Sequence, residues 1–120
     1  MSETTKKIGN RGEDLAVSYL EKKGWIILDR NYFFEKAEVD IVATDTKWII
    51  FVEVKTRSNT FFGNPEEFVT PAKEANIKMA AEAWIYERKM ETAIVRFDII
   101  SIIDNKNGKP EITHFEDAFR

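Results

Sequence analysis

The run from Trp48 to Val52 constrains the fold most, because consecutive apolar side chains along a strand require burial on both of its faces. Ile94–Ile103 is a second strand-like run that is apolar enough for the same burial. Such strands lie in the middle of a sheet that other elements cover on each side. The 120 residues suffice for one domain over 1–120, with flexible tails expected at 1–7 and 116–120.

Two segments with helical spacing of apolar residues are expected to cover this sheet. The first is predicted over Gly9–Lys23, with Asn10 as its N-cap and Gly24 as its C-terminal stop. The second is predicted over Ala72–Glu91. Its apolar stripe consists of Ile77, Ala80, Ala81, Trp84 and Ile85.

The remaining β-prone runs complete the order α-β-β-β-α-β-β. Trp25–Leu28 is a short strand that Tyr32–Phe34 continues as a bent or edge segment. Ala37–Ala43 alternates in polarity and is predicted to form an antiparallel hairpin with Trp48–Thr56. Glu111–Phe115 is the expected edge strand at the end of the chain. The order predicts an α/β domain with a central mixed β-sheet flanked by helices.

Composition excludes several classes of function. The chain has no cysteine, so disulfides, thiolate nucleophiles and cysteine-ligated metal sites are excluded. Its 18 Lys and Arg against 21 Asp and Glu give a net charge of −3, which argues against a wholly basic protein that coats nucleic acid but leaves room for a local basic groove. The sequence shows neither a signal peptide nor a bilayer-spanning run, which predicts a cytoplasmic protein with no membrane partner.

The predicted hairpin carries the residues best suited to chemistry. Glu53 and Lys55 lie two apart on one strand and therefore project from the same face. If the turn has four residues, Ala43 faces Trp48, and Asp40 lies diagonal to Glu53 on that face. A two-residue shift of the register would put the two acids directly opposite each other, whereas a one-residue slip would separate them onto different faces.

Two carboxylates on a central strand pair need a positive partner, because like charges repel and burial penalises both. Mg²⁺ suits that role, since it takes oxygen ligands, keeps several waters and accepts a phosphate oxygen. Lys55 could then orient a metal-bound water. Glu13, at the margin of the first helix, is a third candidate acid, although it could simply complement the helix dipole, and Glu38 is a fourth. The alternative is an ordinary solvated sheet face on which Glu and Lys alternate.

Seven motifs occur in order over residues 8–103. They are Gly9–Ala16, Leu28–Tyr32, Glu38–Val42, Phe51–Arg57, Phe62–Pro65, Lys73 and Arg96–Asp98. In this set and order they resemble the YraN-like family of bacterial proteins. That family is similar to the PD-(D/E)XK nuclease superfamily, near Holliday-junction resolvases. The resemblance implies a restriction endonuclease-like fold and metal-dependent hydrolysis of phosphodiesters in DNA, including branched or structured DNA.

The resemblance also implies roles for individual residues. Asp40 and Glu53 match the two metal-binding acids, with the Val54 carbonyl as a further ligand and Mg²⁺ or Mn²⁺ as the ion. Lys55 matches the motif's lysine, and Glu13 matches the helix acid that completes many such sites. The basic positions that would contact DNA phosphates are Arg57 and Lys73.

A different class of function stays open at this stage. The chain could retain the fold as a non-catalytic nucleic-acid-binding or protein-interaction module, or serve a purely structural role, and the net charge of −3 is compatible with both. Phe61 and Phe62 could stack on bases, although aromatic residues in such a loop more often fold back to pin it. A homodimer would suit cleavage of two strands.

Two further titratable residues are assigned structural roles. Asp98 lies in a strand predicted to be buried and is expected to form an ion pair with a basic group such as Arg96. His114, the single histidine, lies on the expected edge strand, and we predict structural placement rather than catalysis.

Overall fold

The structure, a computed structural model, describes residues 3–57, 69–104 and 108–120. The helices are α1 (Glu3–Lys22) and α2 (Pro71–Glu87). The strands are β1 (Ile26–Phe34), β2 (Ala37–Thr44), β3 (Trp48–Arg57), β4 (Ile94–Ile103) and β5 (Glu111–Phe119). The predicted α/β class and the order α-β-β-β-α-β-β are confirmed.

The five strands form one mixed sheet in the order β1-β2-β3-β4-β5, so β3 is its central strand. Neighbouring strands pair antiparallel except β3 and β4, which run parallel. A parallel pair needs a long crossover connection, and α2 lies within it. The apolar run of β3 thus has the central place that burial on both faces requires.

The two helices cover opposite faces of the sheet, each over its own hydrophobic cluster. On one side, Trp84 of α2 is buried and contacts the Phe51 ring edge-on, with 5.8 Å between the ring centroids. On the other side, Ala16 and Leu20 of α1 pack among Ile50, Val52, Ile100 and Ile102. None of the helices in the described part of the chain is long and apolar enough to cross a membrane.

Helix α1 begins at Glu3, six residues before the predicted start, so two predictions about this end were wrong. Asn10 lies inside the helix rather than at its N-cap, and from Glu3 onward the chain is helical where a tail was expected. Gly9 and Asn10 each cost a helix interior only about 1 kcal/mol or less relative to alanine. Extending an existing helix is also far easier than nucleating a new one, so the helix runs through both residues.

Helix α2 begins one residue before its predicted start at Ala72 and ends four residues before its predicted end at Glu91. Pro71 opens the helix, and Thr70 is its N-cap, with the hydroxyl accepting a hydrogen bond from the Lys73 N–H. At the other end the Arg88 N–H donates to the Trp84 carbonyl, and Lys89 adopts a left-handed conformation with φ of 55°. This conformation turns the chain away from the helix axis before the predicted end at Glu91.

The last strand is longer than predicted, because β5 continues to Phe119 instead of ending at Phe115. An irregularity in the β4–β5 pairing brings Phe119 opposite Phe97, where the two rings stack with centroids 5.1 Å apart. Burial of Phe119 holds residues 116–119 in the sheet, so the predicted C-terminal tail is wrong over these positions. Strand β1 likewise joins the two predicted pieces, through a register shift between Ile27 and Asp29.

Candidate active site

The register of the β2–β3 hairpin decides whether the candidate acids meet. Ala43 pairs with Ile50, not with Trp48, so the register is shifted by two residues from the four-residue-turn prediction. The cause is the turn itself, where the Asp45 side chain accepts hydrogen bonds from the backbone N–H groups of Lys47 and Trp48. A register shift by an even number of residues leaves each side chain on the same face of the sheet. The pair that follows Ile41 and Val52 in this register is Asp40 and Glu53, which therefore lie opposite each other.

Asp40 is held against the backbone of the neighbouring strand. Its carboxylate oxygen Oδ2 accepts a hydrogen bond of 2.8 Å from the Val54 N–H. In an extended strand the N–H and C=O of one residue point to the same edge. The Val54 carbonyl therefore faces the side of Asp40, beyond the last β2–β3 pair at Ile41 and Val52.

The electrostatics of Asp40 are unfavourable for a free carboxylate. The residue is 7% exposed, and this burial raises the pKa of Asp40 to about 8, with the nearby charge of Glu53 adding to the effect. The hydrogen bond from Val54 opposes the shift only in part, and Glu38 and Glu13 add further negative charge. Near neutral pH, binding of a proton or a cation therefore stabilises the Asp40 carboxyl group.

Two lysines converge on Glu53, which is 6% exposed. The Lys73 ammonium, from the first turn of α2, lies 2.6 Å from Glu53 Oε1, and the Lys55 ammonium lies 3.4 Å from the same oxygen. Burial lowers the pKa of Lys55, and the adjacent Lys73 lowers it further. Burial would also lower the pKa of Lys73, but its hydrogen bond to Glu53 raises it above the ordinary value.

Glu13 reaches the same region from α1. Its side chain is 15% exposed, and Oε1 is buried with no hydrogen-bond partner in the described part of the chain. The nearest cation is Arg30, whose Nη2 lies 3.8 Å from that oxygen. Burial raises the pKa of Glu13, and a hydrogen bond with the Asn31 side chain opposes the increase.

The structure thus brings together Asp40, Glu53, Lys55 and Lys73, with Glu13 close enough to affect the pKa of Asp40. Arg57 ends β3, and its carbonyl accepts a hydrogen bond from the Asp104 N–H. Across the described residues, no three Asp, Glu or His side chains converge closely enough to hold a metal ion among themselves. The acids are therefore a pair with outlying neighbours. Phe61 and the whole Phe62–Pro65 motif lie outside the described residues.

The family of the chain follows from comparison with known sequences. Residues 12–102 match the profile of a family described as uncharacterised protein family UPF0102. The chain belongs to the UPF0102 family. This confirms the YraN-like resemblance. UPF0102 relatives are 45% identical over 114 residues in Geotalea daltonii, covering 95% of this chain and 90% of the relative, and 48% identical over 104 residues in Dictyoglomus thermophilum, covering 87% and 88%.

The segment that matches UPF0102 extends from Gly12 to Ile102 and therefore contains all of the candidate site residues. All of β5, including His114, lies beyond it. The matched segment thus contains the part of the fold that carries the acids and lysines, whereas β5, which completes the sheet, follows it.

Sequence reasoning missed three polar residues near Glu53, namely Lys36, Thr70 and Asn76. A cavity of about 460 Å³ opens there between the β1–β2 turn and the start of α2. Its polar lining residues are Lys36, Glu38, Glu53, Thr70, Lys73 and Asn76. Asn76 was detectable, because it follows Lys73 by one helical turn and so shares its face. Lys36 carried no such signal. A larger cavity of about 940 Å³ along α2 has none of the candidate site residues in its lining.

Gly12 sets the distance between α1 and β3. A Cβ at this position would lie 2.0 Å from Thr56 Oγ1 and 3.2 Å from Thr56 Cβ, so rotating the threonine does not fully relieve the contact. Glu13 follows directly on this buried glycine. The close approach therefore brings the Glu13 side chain to the sheet.

We expect Gly12→Ala to lower the free energy of unfolding by about 2 kcal/mol, because a clash of up to about 3 kcal/mol outweighs the gain of about 1 kcal/mol in helix propensity. Urea unfolding followed by circular dichroism measures the change. Gly108→Ala is the control, since none of the described residues has an atom within 4 Å of its added methyl group. Equal stability of Gly12→Ala and the wild type would contradict the close approach.

Proposed function

We propose that this protein is a metal-dependent nuclease that hydrolyses phosphodiester bonds in DNA, with branched or structured DNA as the preferred substrate. One observation carries the proposal. Asp40 and Glu53, both less than 10% exposed, lie on facing strands with Lys55 two residues beyond Glu53. Buried acids that repel each other are costly unless they serve a site, and a buried carboxyl group with a raised pKa, such as Asp40, is typical of catalytic centres.

The donor set fits Mg²⁺ or Mn²⁺. Asp40, Glu53 and the Val54 carbonyl supply only oxygen atoms, which are the ligands that hard divalent cations prefer. Two carboxylates without a third protein acid suit an ion that keeps several waters and takes a phosphate oxygen from its substrate. When bound, such an ion would lower the pKa of a water and stabilise negative charge on the phosphoryl oxygens.

The side chains around the acids have distinct tasks in this proposal. Lys55, whose pKa burial lowers, orients the attacking water and provides a positive charge beside the phosphoryl group. Glu13 holds a water of the site through Oε1, which has no hydrogen-bond partner in the described residues. Arg57 and Lys73 contact flanking phosphates.

The net charge of −3 limits DNA binding to a local basic surface. Phosphate contacts from such a surface position the duplex without reading its sequence. This agrees with a nuclease that recognises the shape of its substrate. A cytoplasmic location and a homodimer that cuts two strands stay predictions from the sequence.

The test combines metal binding with DNA cleavage. We expect Mn²⁺ to bind the wild type in calorimetric titrations and not to bind Asp40→Asn, with circular dichroism showing both proteins folded. With Mg²⁺ or Mn²⁺, cleavage of four-way junction, duplex and single-stranded DNA should fall at least about 100-fold in Asp40→Asn and in Lys55→Gln, as for loss of one charge-stabilising or proton-transferring group.

Asp14→Asn is the control for that experiment, because Asp14 is an exposed acid of α1 that pairs with Arg30. The non-catalytic module makes the opposite prediction. It would be favoured if the wild type bound DNA but cleaved none of the substrates with either metal, and if Asp40→Asn and Lys55→Gln bound DNA as the wild type does.

A further inference from the structure

The two acids of the candidate site are compensated unequally. Glu53 Oε1 has both ammonium groups within ion-pair distance, Lys73 at 2.6 Å and Lys55 at 3.4 Å. The ion pairs of the described residues include none to Asp40, whose carboxylate is held by the Val54 N–H. The positive charge of the site thus sits on one side of the acid pair.

The Lys73 ammonium lies on the carboxylate that a cation shared by the two acids would have to use. A donor 2.6 Å from Oε1 occupies a lone pair of that oxygen, and a cation shared by Asp40 and Glu53 would need access to the same carboxylate. Two positive groups on one oxygen also repel each other. Binding of a divalent cation between the acids therefore competes with Lys73.

The Lys73 ammonium can move away from the Glu53 carboxylate more easily than the Lys55 ammonium can. Its side chain is 37% exposed, against 21% for Lys55, and it extends from a helix on one face of the sheet rather than from the strand that carries Glu53. Four rotatable methylene groups let the ammonium reach water with little loss of packing. The backbone N–H of Lys73 still caps the helix through Thr70 when the side chain moves.

We propose that Lys73 is an internal counter-ion of Glu53 in the metal-free protein, and that a divalent cation bound by Asp40 and Glu53 displaces its ammonium from the carboxylate. The inference rests on the metal site of the proposed function. It assigns Lys73 as a positioning residue that keeps Glu53 in place until the cation arrives. The released ammonium is then available for a phosphate oxygen.

The test is calorimetric titration of Mn²⁺ into wild type, Lys73→Gln and Lys78→Gln. We expect Lys73→Gln to bind Mn²⁺ about 3- to 10-fold more tightly than the wild type, as for removal of one partly exposed competing charge. Lys78→Gln removes the same charge from the same helix, where the ammonium donates to the Arg120 carbonyl, and should change the affinity less than about 2-fold. Lys73→Arg keeps the charge and should not bind Mn²⁺ more tightly than the wild type.

Thermal unfolding supplies a readout that needs no activity. In EDTA, Lys73→Gln should melt below the wild type because Glu53 loses its closest partner. In saturating Mn²⁺ the difference should vanish or reverse, since tighter binding to the folded state stabilises it more. Lys78→Gln should show the same difference from the wild type under both conditions.

The outcomes separate this inference from the proposed function. If Mn²⁺ binds the wild type and not Asp40→Asn, while Lys73→Gln binds equally or more weakly, the counter-ion role is overturned and the metal site stands. If neither the wild type nor Lys73→Gln binds Mn²⁺, both are overturned. Binding by Lys73→Gln alone would support the counter-ion role in its strongest form.

Discussion

Asp98→Asn is expected to lower the free energy of unfolding by about 3–5 kcal/mol, the cost of removing one partner from a buried ion pair. Asp98 is completely buried, and each of its carboxylate oxygens accepts two hydrogen bonds. Arg96 Nε and the Asp117 N–H donate to Oδ1, at 2.9 Å each. Arg96 Nη2 at 2.9 Å and His114 Nε2 at 2.7 Å donate to Oδ2.

Asparagine has the shape of aspartate but only one acceptor oxygen, so its NH₂ group would face two donors without being able to accept from them. Arg96, whose side chain is 12% exposed, would keep its charge and lose its counter-ion. The Lys23 ammonium lies 3.2 Å from Nδ1 of His114, so Nδ1 accepts and Nε2 carries the proton that it donates to the Asp98 carboxylate. Without that acceptor the His114 ring would lose the hydrogen bond that orients it.

Urea unfolding at pH 7 measures this loss, with Asp117→Asn as the control. Asp117 forms an exposed pair with Arg120, and its φ of 52° suits asparagine, so the control should be nearly as stable as the wild type. A loss at Asp98 no greater than that of the control would contradict the buried network.

The same variant has a signature in its pH dependence. Burial alone would raise the pKa of Asp98, but the hydrogen bonds from His114 and Arg96 hold it below the ordinary value of 3.8. A lowered pKa contributes stability that is present above the ordinary value and is lost as the pH falls through the folded-state value. The difference between wild type and Asp98→Asn should therefore shrink below about pH 4.

Asp40→Asn is expected to act in the opposite direction and to stabilise the metal-free protein at alkaline pH. The pKa of Asp40 is raised from 3.8 to about 8, so the folded state binds this proton more tightly than the unfolded chain does. The stability of the wild type therefore falls as the pH rises from about 4 to about 8. Asparagine keeps an acceptor for the Val54 N–H and carries no charge, so the variant escapes that loss.

Each pKa unit corresponds to 1.36 kcal/mol, so a shift from 3.8 to about 8 should make the advantage of Asp40→Asn grow by about 5–6 kcal/mol between pH 4 and pH 9 in EDTA. Urea unfolding across this range measures it, with Asp14→Asn as the exposed-acid control. Added Mn²⁺ should reduce the advantage by stabilising only the wild type. A difference that does not change with pH would show that Asp40 is not destabilised by its surroundings.

The prediction about the hairpin illustrates what local periodicity determines. Side chains alternate along a strand, so Asp40 and Glu53 share a face in any register that differs by an even number of residues. The shift by two residues arose from the Asp45 side chain, which caps the turn through hydrogen bonds that the four-residue-turn prediction did not include. The face was therefore predicted correctly, and of the two even registers considered the structure has the one that places the acids directly opposite each other.

The structural roles follow the same division. Asp98 was predicted to pair with Arg96 because the two lie two residues apart on one strand, and the bidentate contact confirms it. The third partner, His114, was not predicted, because it lies on a different strand and meets Asp98 only through the irregular β4–β5 pairing. The start of α1 was predicted wrongly because Gly9 and Asn10 cost a helix interior little, so the helix extends through them. The end of β5 was predicted wrongly because burial of Phe119 outweighed the local signals there.

Polarity patterns within single segments were enough to predict the central place of β3, the order of the elements and the common face of the two acids. Three other properties became visible in the folded protein: Lys73 reaches Glu53, Glu13 lies near Asp40, and Asp40 is buried enough to shift its pKa. These properties depend on how the two helices dock on the sheet. Docking is set by the packing of residues distant in sequence, such as Gly12 against Thr56, and by the water that this packing excludes.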